Sequence, residues 1–94
     1  MSKKEINLET SQIPWHELQR FFASGMAIYI AEDIDLVEVA YQFSIDNKTQ
    51  VALWLKQEKV APVTDQQALK WYEKNTTVWS VVVKPWVLVQ EKNH

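Results

Sequence analysis

The C-terminal stretch TTVWSVVVKPWVLVQE, residues 76–91, places the tightest limits on what this chain can fold into. Nine of its sixteen residues are Val, Leu or Trp. Such β-branched and aromatic residues favour strands, so the stretch predicts two antiparallel strands, over 78–83 and 86–90, with Lys84-Pro85 at the turn. Ser80, Lys84 and Pro85 interrupt the apolar run, which is also shorter than the roughly 20 residues that span a bilayer as a helix. We therefore expect no membrane anchor here.

Both faces of the predicted strand pair are apolar. Alternate residues point to opposite faces, so Trp79, Val81 and Val83 face one way while Val78 and Val82 face the other. Helices must then cover both faces, or a second copy must cover one of them. The helices predicted below are few and short, and a terminal strand is often a sheet edge. We therefore expect a homodimer with these interface residues: Trp79, Val81, Val83, Trp86, Val87, Leu88 and Val89.

Capping and periodicity signals predict about four helices. The clearest starts are a carboxylate cap at Asp35, an amide cap at Asn47 and a Thr64-Asp-Gln-Gln67 capping box. Upstream, Pro14 precedes apolar residues at helical spacing, and Gly25 stands where a left-handed C-terminal cap is expected. The predicted helices cover 15–24, 35–43, 47–58 and a segment beginning at 64. A buried strand is predicted at 26–31, and VAPV at 60–63 is a Pro-containing connection.

This order of elements predicts an α+β fold with a three-stranded, mostly antiparallel sheet and about four helices. It resembles a winged helix with one extra helix before the wing. The length favours one domain over 1–94. Residues 1–10 carry only a weak helix signal, and we expect either a short helix or a loosely held N-terminal arm.

The composition gives little support for a catalytic or cofactor-binding role. The chain has no Cys and one Gly, which excludes thiolate chemistry and a glycine-rich phosphate loop. The one dense carboxylate group is Glu32, Asp33, Asp35 and Glu38, and helix capping explains part of it. His16 is expected on the surface of an amphipathic helix. We predict no enzymatic activity, no catalytic residue, no metal and no cofactor.

The distribution of charge along the chain is compatible with binding to a partner. Residues 1–46 carry a net charge of −5 and residues 47–94 a net charge of +3. If the two halves form separate surfaces, they favour association between copies or an acidic partner for the second half. A nucleic acid could be contacted by Lys48, Lys56, Lys59 and Lys84. A pI near 5.6, a single Arg and the lack of a basic run make that reading the less favoured one.

Two resemblances add to these expectations. DLVEVAYQFSIDNKTQVALWLKQEKVAPV resembles the helix-turn-helix of excisionase-type DNA readers. ELQRFFASG, DLVEVA, VALWL and VWSVVVKPWVLVQE together resemble the domain of unknown function 2288 family of small bacterial proteins, over about Leu8 to Glu91. The family resemblance implies a bacterial, cytoplasmic protein and supplies no catalytic residue. The expected function is a non-enzymatic protein-interaction module that self-associates as a homodimer and binds an unidentified protein partner. The alternative is a winged-helix-like nucleic-acid-binding protein.

Overall fold

The computed structural model describes residues 2–91, so Met1 and residues 92–94 of the predicted domain lie outside the description. Five α-helices, one 3₁₀ turn and five strands alternate along the chain. Their bounds are α1 Lys3–Glu9, β1 Ser11–Pro14, the 3₁₀ turn Trp15–Leu18, α2 Gln19–Ala23, β2 Ala27–Ile30, α3 Leu36–Ser44, α4 Lys48–Lys56, β3 Val60–Pro62, α5 Asp65–Glu73, β4 Thr77–Val83 and β5 Trp86–Glu91.

All five strands form one mixed sheet in the order β1-β4-β5-β2-β3. β2 runs parallel to β5, and the other three neighbouring pairs are antiparallel. The α+β class is as predicted, but the three-stranded, winged-helix-like sheet is wrong. The prediction missed β1 and β3, because the sequences SQIP and VAP are short, contain proline and lack a run of strand-forming residues.

Helices cover both faces of the sheet. On one face, Ile6, Leu36 and Val39 share a buried cluster with Val81 and Leu88. A separate cluster on the other face contains the following residues: Trp15, Leu18, Ala68, Trp71, Val78, Val87 and Val89. The alternation predicted for the C-terminal strands is present. The expectation that the helices are too few to cover both faces is wrong, because α1, α3 and α4 cover one face while the 3₁₀ turn, α2 and α5 cover the other.

The N-terminal helix α1 is part of this packing. Its Ile6 side chain is fully buried, and Lys3 forms an ion pair with Glu38 of α3 at 3.1 Å. The Ser2 hydroxyl caps the helix by accepting a hydrogen bond from the Glu5 amide. Residues 3–9 form a short helix, one of the two alternatives, and it packs on the sheet and α3 through Ile6 and Lys3.

Four of the helices end in the same backbone motif. After α2, α3, α4 and α5, the amide of a residue with positive φ and the amide of the next residue both bond back to carbonyls of the last turn; the positive-φ residues are Gly25, Asp46, Glu58 and Asn75. After α4, for example, the Glu58 amide bonds to the Leu55 carbonyl and the Lys59 amide to the Trp54 carbonyl, which is a Schellman motif. The sequence signalled only one of these ends, because only one carries glycine.

Candidate functional site

The structure uses the predicted interface strands for the chain's own core. Val81, Val83, Val87, Leu88 and Val89 are all buried within the single chain. The two tryptophans of the set, Trp79 and Trp86, are partly buried and pack against the cluster that contains Leu88. β4 and β5 are also central strands, because β1 and β2 flank them. The five buried side chains cannot meet a second copy while the chain stays folded, so they are wrong as interface residues; Trp79 and Trp86 are the two that keep some exposed surface.

Sheet-edge pairing between copies is also disfavoured, since each edge strand carries a proline. The Trp15 amide bonds to the Thr76 carbonyl, and the Val63 amide to the Ala27 carbonyl. Inward and outward backbone groups alternate along an antiparallel strand, so Pro14 of β1 and Pro62 of β3 occupy outward positions. Proline has no amide hydrogen to donate there. The two prolines therefore make both edges of the sheet poor templates for pairing with another strand.

The helix α4 is the least buried apolar element of the described chain. Its sequence KTQVALWLK contains five consecutive apolar residues, 51–55, yet none of its nine residues is buried. Leu53 and Leu55 are 47% and 49% exposed, and Ile45, in the preceding turn, is also half-exposed. Consecutive apolar residues point in all directions around a helix, so one sheet face cannot cover them all. α4 thus presents leucines to solvent beside a half-buried Trp54.

A small cleft lies where the α3–α4 turn meets the sheet. It encloses about 220 Å³ and has the following lining residues: Ile28, Phe43, Asp46, Lys48, Val51, Val60 and Trp86. The walls are apolar, and Asp46 and Lys48 form an ion pair at 3.9 Å. The exposed leucines and this cleft make the α4 surface, residues 45–58, the candidate functional site.

The four lysines considered for nucleic acid do not form one basic surface. Lys48 pairs with Asp46, and Lys59 forms an ion pair with Asp33. Lys84 lines a separate cleft of about 700 Å³ that also contains Glu5 and Glu9. Lys56 lies at the other end of α4 from Lys48, about 12 Å away at 1.5 Å per residue. The structure places acidic groups beside three of the four.

The carboxylate group at 32–38 is divided among different roles. Asp35 caps α3 by accepting from the Val37 amide at 3.0 Å, and Glu38 pairs with Lys3. The hydrogen bond and charge of Lys59 lower the pKa of Asp33. Within residues 2–91, no group of three or more metal-ligating side chains comes together. The described side chains thus act in capping and ion pairs.

A hydrogen-bonded cluster that the sequence did not reveal lies at the carboxyl ends of the parallel strands β2 and β5. The Trp71 indole donates to the Glu91 carboxylate at 2.7 Å, which is the main cause of a lowered pKa for Glu91. A hydrogen bond to Glu91 raises the pKa of Glu32. Burial, followed by the charge of Glu91, raises the pKa of Tyr29. Tyr29 and Glu32 are distant in sequence from Trp71 and Glu91, and the parallel pairing of β2 with β5, together with the packing of α5 on the sheet, brings them together.

His16 lies on the surface, as expected, and it contacts α5. Its ring stacks on Tyr72 with centroids 4.5 Å apart, and its Nε2 lies 3.1 Å from the Tyr72 carbonyl oxygen. Neither a carboxylate nor a nucleophilic side chain hydrogen-bonds this imidazole among the residues described. The imidazole and the Tyr72 ring thus pack against each other at the surface, between the 3₁₀ turn and α5.

Comparison with other proteins is consistent with this fold. Within residues 2–91, no helix has the length and apolar character needed to cross a membrane. No protein with a curated description matches the chain. The NMR solution structure of PA1075 from Pseudomonas aeruginosa is 39% identical, with a TM-score of 0.86 over 95% of this chain and 82% of that one. The model of the family described as "Protein of unknown function (DUF2288)" matches residues 1–91, and the chain belongs to that family.

Proposed function

We propose that this protein is a non-enzymatic interaction module of the bacterial cytoplasm that forms a homodimer through its α4 surface. One observation carries the proposal: α4 contains five consecutive apolar residues, none of them buried. Exposed leucines on a helix cost solvation free energy unless a partner covers them. The proposal keeps the self-association expected from the sequence and moves it from the C-terminal strands to α4.

The charges around the exposed leucines favour a second copy as the partner. Asp46 and Lys48 flank one end of α4, and Lys56 and Glu58 flank the other. In a two-fold dimer with α4 packed antiparallel to its counterpart, each end meets the opposite end of the other helix. Both ends carry one acidic and one basic group, so opposite charges can pair on each side of the leucines. A surface of single sign would instead repel its own copy.

The area that a stable interface must bury shows that residues outside α4 also contribute to the contact. A stable interface buries about 800 Å² on each partner, which is more than one nine-residue helix offers. Ile45 and the rim of the cleft beside Phe43 and Trp86 extend the apolar area next to α4. We therefore place Leu53 and Leu55 at the centre of the contact and the α3–α4 turn at its border.

Light scattering with size-exclusion chromatography tests this at about 10 and 100 μM protein. The wild type should be a dimer at the higher concentration, and Leu53→Lys with Leu55→Lys should be a folded monomer. The control is Leu8→Lys, because Leu8 is an even more exposed leucine, on α1. The control should remain dimeric. A monomeric wild type at 100 μM overturns the proposal, and so does a dimer that persists in the double variant.

A second candidate function is nucleic-acid binding, which the α3–α4 hairpin favours. A three-residue turn joins the two helices, and most of α4 is exposed, including Lys48 and Lys56, as a recognition helix requires. The test is retention of a mixed-sequence DNA duplex at about 50 mM salt, where phosphate contacts are strongest. Binding that Lys48→Gln with Lys56→Gln abolishes would support this function. No retention at that salt concentration would reject it.

A further inference from the structure

The cleft beside α4 has a buried apolar floor and a charged mouth. Ile28 and Val60 form the floor, at 8% and 1% exposure, and the partly buried Trp86 packs beside them. Asp46 and Lys48 line the same cleft, but their side chains are 79% and 86% exposed, which places them at its opening. An apolar cavity of about 150 Å³ can hold benzene, so a space of about 220 Å³ accommodates the four carbon atoms of one leucine side chain.

One of the two exposed leucines of α4 lies on the same side of the helix as the cleft. Residues spaced by three, four and seven positions share a helix face, so Leu55 lies in line with Val51 and Lys48, which both line the cleft. Leu53 is about 200° around the helix from Val51 and lies on the other flank. Leu55 is 49% exposed, so about half of its surface is free to contact another molecule.

Two-fold symmetry would bring Leu55 and the cleft together. An isologous contact joins the same flank of α4 in both copies, and antiparallel helices place the C-terminal end of one beside the N-terminal end of the other. Leu55 lies near the C-terminal end of α4, and the cleft mouth, with Asp46 and Lys48, lies at the N-terminal end. Lys56 and Glu58, which are exposed next to Leu55, carry the charges that complement those of the mouth.

We infer that Leu55 of each copy inserts into the cleft beside α4 of the other copy, so that each cleft is completed by its partner. This inference rests on the homodimer proposed above and identifies the contact that holds it together. Two reciprocal insertions add the walls of both clefts to the buried area, which the two helices by themselves do not supply. A contact between the helices alone would leave those apolar walls facing water.

A mixing experiment with two variants tests the inference. Leu55→Lys removes the inserted side chain and keeps the cleft, whereas Val51→Phe adds four carbon atoms to the cleft wall and keeps Leu55. Each variant alone should be monomeric at a concentration at which the wild type is a dimer. An equimolar mixture should form a heterodimer, because Leu55 of the Val51→Phe chain can still enter the cleft of the Leu55→Lys chain. Native mass spectrometry distinguishes this heterodimer from both homodimers, and thermal melting checks that each variant is folded.

Isotope-filtered NOE spectroscopy of the wild type tests the same contact without a substitution. The sample is a mixture of ¹³C-labelled and unlabelled protein, in which only contacts between copies are detected. The Leu55 methyl groups should show intermolecular NOEs to the rings of Trp86 and Phe43, which both line the cleft.

Each of three results would overturn the inference. The first is the lack of a heterodimer from two folded, monomeric variants. The second is a Val51→Phe chain that dimerises as tightly as the wild type, and the third is a set of intermolecular NOEs that joins Leu55 to its counterpart and to neither ring. All three would leave the α4 homodimer in place if the wild type is dimeric and Leu53→Lys with Leu55→Lys is monomeric. A monomeric wild type would instead reject the homodimer and this inference together.

Discussion

Substitution of Ile6 by alanine should remove a large part of the stability of this fold. Ile6 is the one buried residue of α1, and it belongs to the cluster that also contains Val39 of α3 and Leu88 of β5. The change deletes three carbon atoms from a fully buried site. At about 0.8 kcal/mol for each buried methylene, the lost transfer free energy is about 2.4 kcal/mol. A cavity term adds to this, which gives about 3–4 kcal/mol.

The measurement is urea unfolding of the wild type and two variants, followed by circular dichroism and tryptophan fluorescence together. Leu8→Ala is the matched control, because Leu8 lies two residues away on the same helix and is 76% exposed. We expect this control to stay within about 0.5 kcal/mol of the wild type. Ile6→Ala should also lower the melting temperature by at least about 12 °C, at about 4 °C per kcal/mol.

The same experiment can refute the reasoning about α1. If Ile6→Ala costs less than about 1 kcal/mol, α1 contributes little to the core, and the loosely held arm considered from the sequence would be restored. A lower dependence of the unfolding free energy on urea, without a lower stability of the remaining structure, would mean that α1 detaches by itself. Coincident transitions by both probes would show that the domain unfolds as one cooperative unit.

Three further predictions concern other parts of the fold. Val87→Lys with Val89→Lys should unfold the chain at 25 °C by circular dichroism, since both side chains are buried in one monomer; a folded double variant would contradict this packing. Glu58→Gly should raise the free energy of unfolding by about 1 kcal/mol, because Glu58 has φ of 61°, a conformation that is strained for residues other than glycine. Gln57→Gly, at a right-handed position, should instead lower the free energy of unfolding. Equal effects of the two substitutions would disprove the backbone strain at Glu58. The lowered pKa of Glu91 stabilises the fold above the ordinary carboxyl pKa, and that stabilisation is lost as the pH falls through the folded-state pKa. Urea unfolding between about pH 5 and 2 should therefore depend less on pH in Glu91→Gln than in the wild type, and an unchanged dependence would exclude this role.

Local signals in the sequence predicted the helices of the central region well. Asp35, Asn47 and Thr64 each accept a hydrogen bond from an amide in the first turn of the helix that they precede. Gly25 adopts the left-handed conformation expected of it. A cap and its helix lie within a few residues of each other, so the chain's own sequence contains both partners of the interaction. The 15–24 segment is less regular than predicted, because it begins with a 3₁₀ turn before α2.

The candidate site could not be located in the same way. The run Val51 to Leu55 is visible in the sequence, but its exposure depends on how much of α4 the sheet reaches. The cleft beside α4 is lined by residues up to 58 positions apart, from Ile28 to Trp86. No local pattern relates such residues. The family resemblance, which the match over residues 1–91 confirms, supplied no site residue either.

The sequence by itself determined the helix starts, the alternation of the C-terminal strands and the family. Tertiary structure alone decided that β5 lies at the centre of the sheet, beside the parallel strand β2, and that helices cover both faces. The physical reason is the range of the interactions. Caps and periodicity join residues that are neighbours along the chain, whereas β2 and β5 are joined by backbone hydrogen bonds between residues about sixty positions apart, such as the bond from the Val87 amide to the Met26 carbonyl. That pairing buried the valines whose exposure the sequence had suggested.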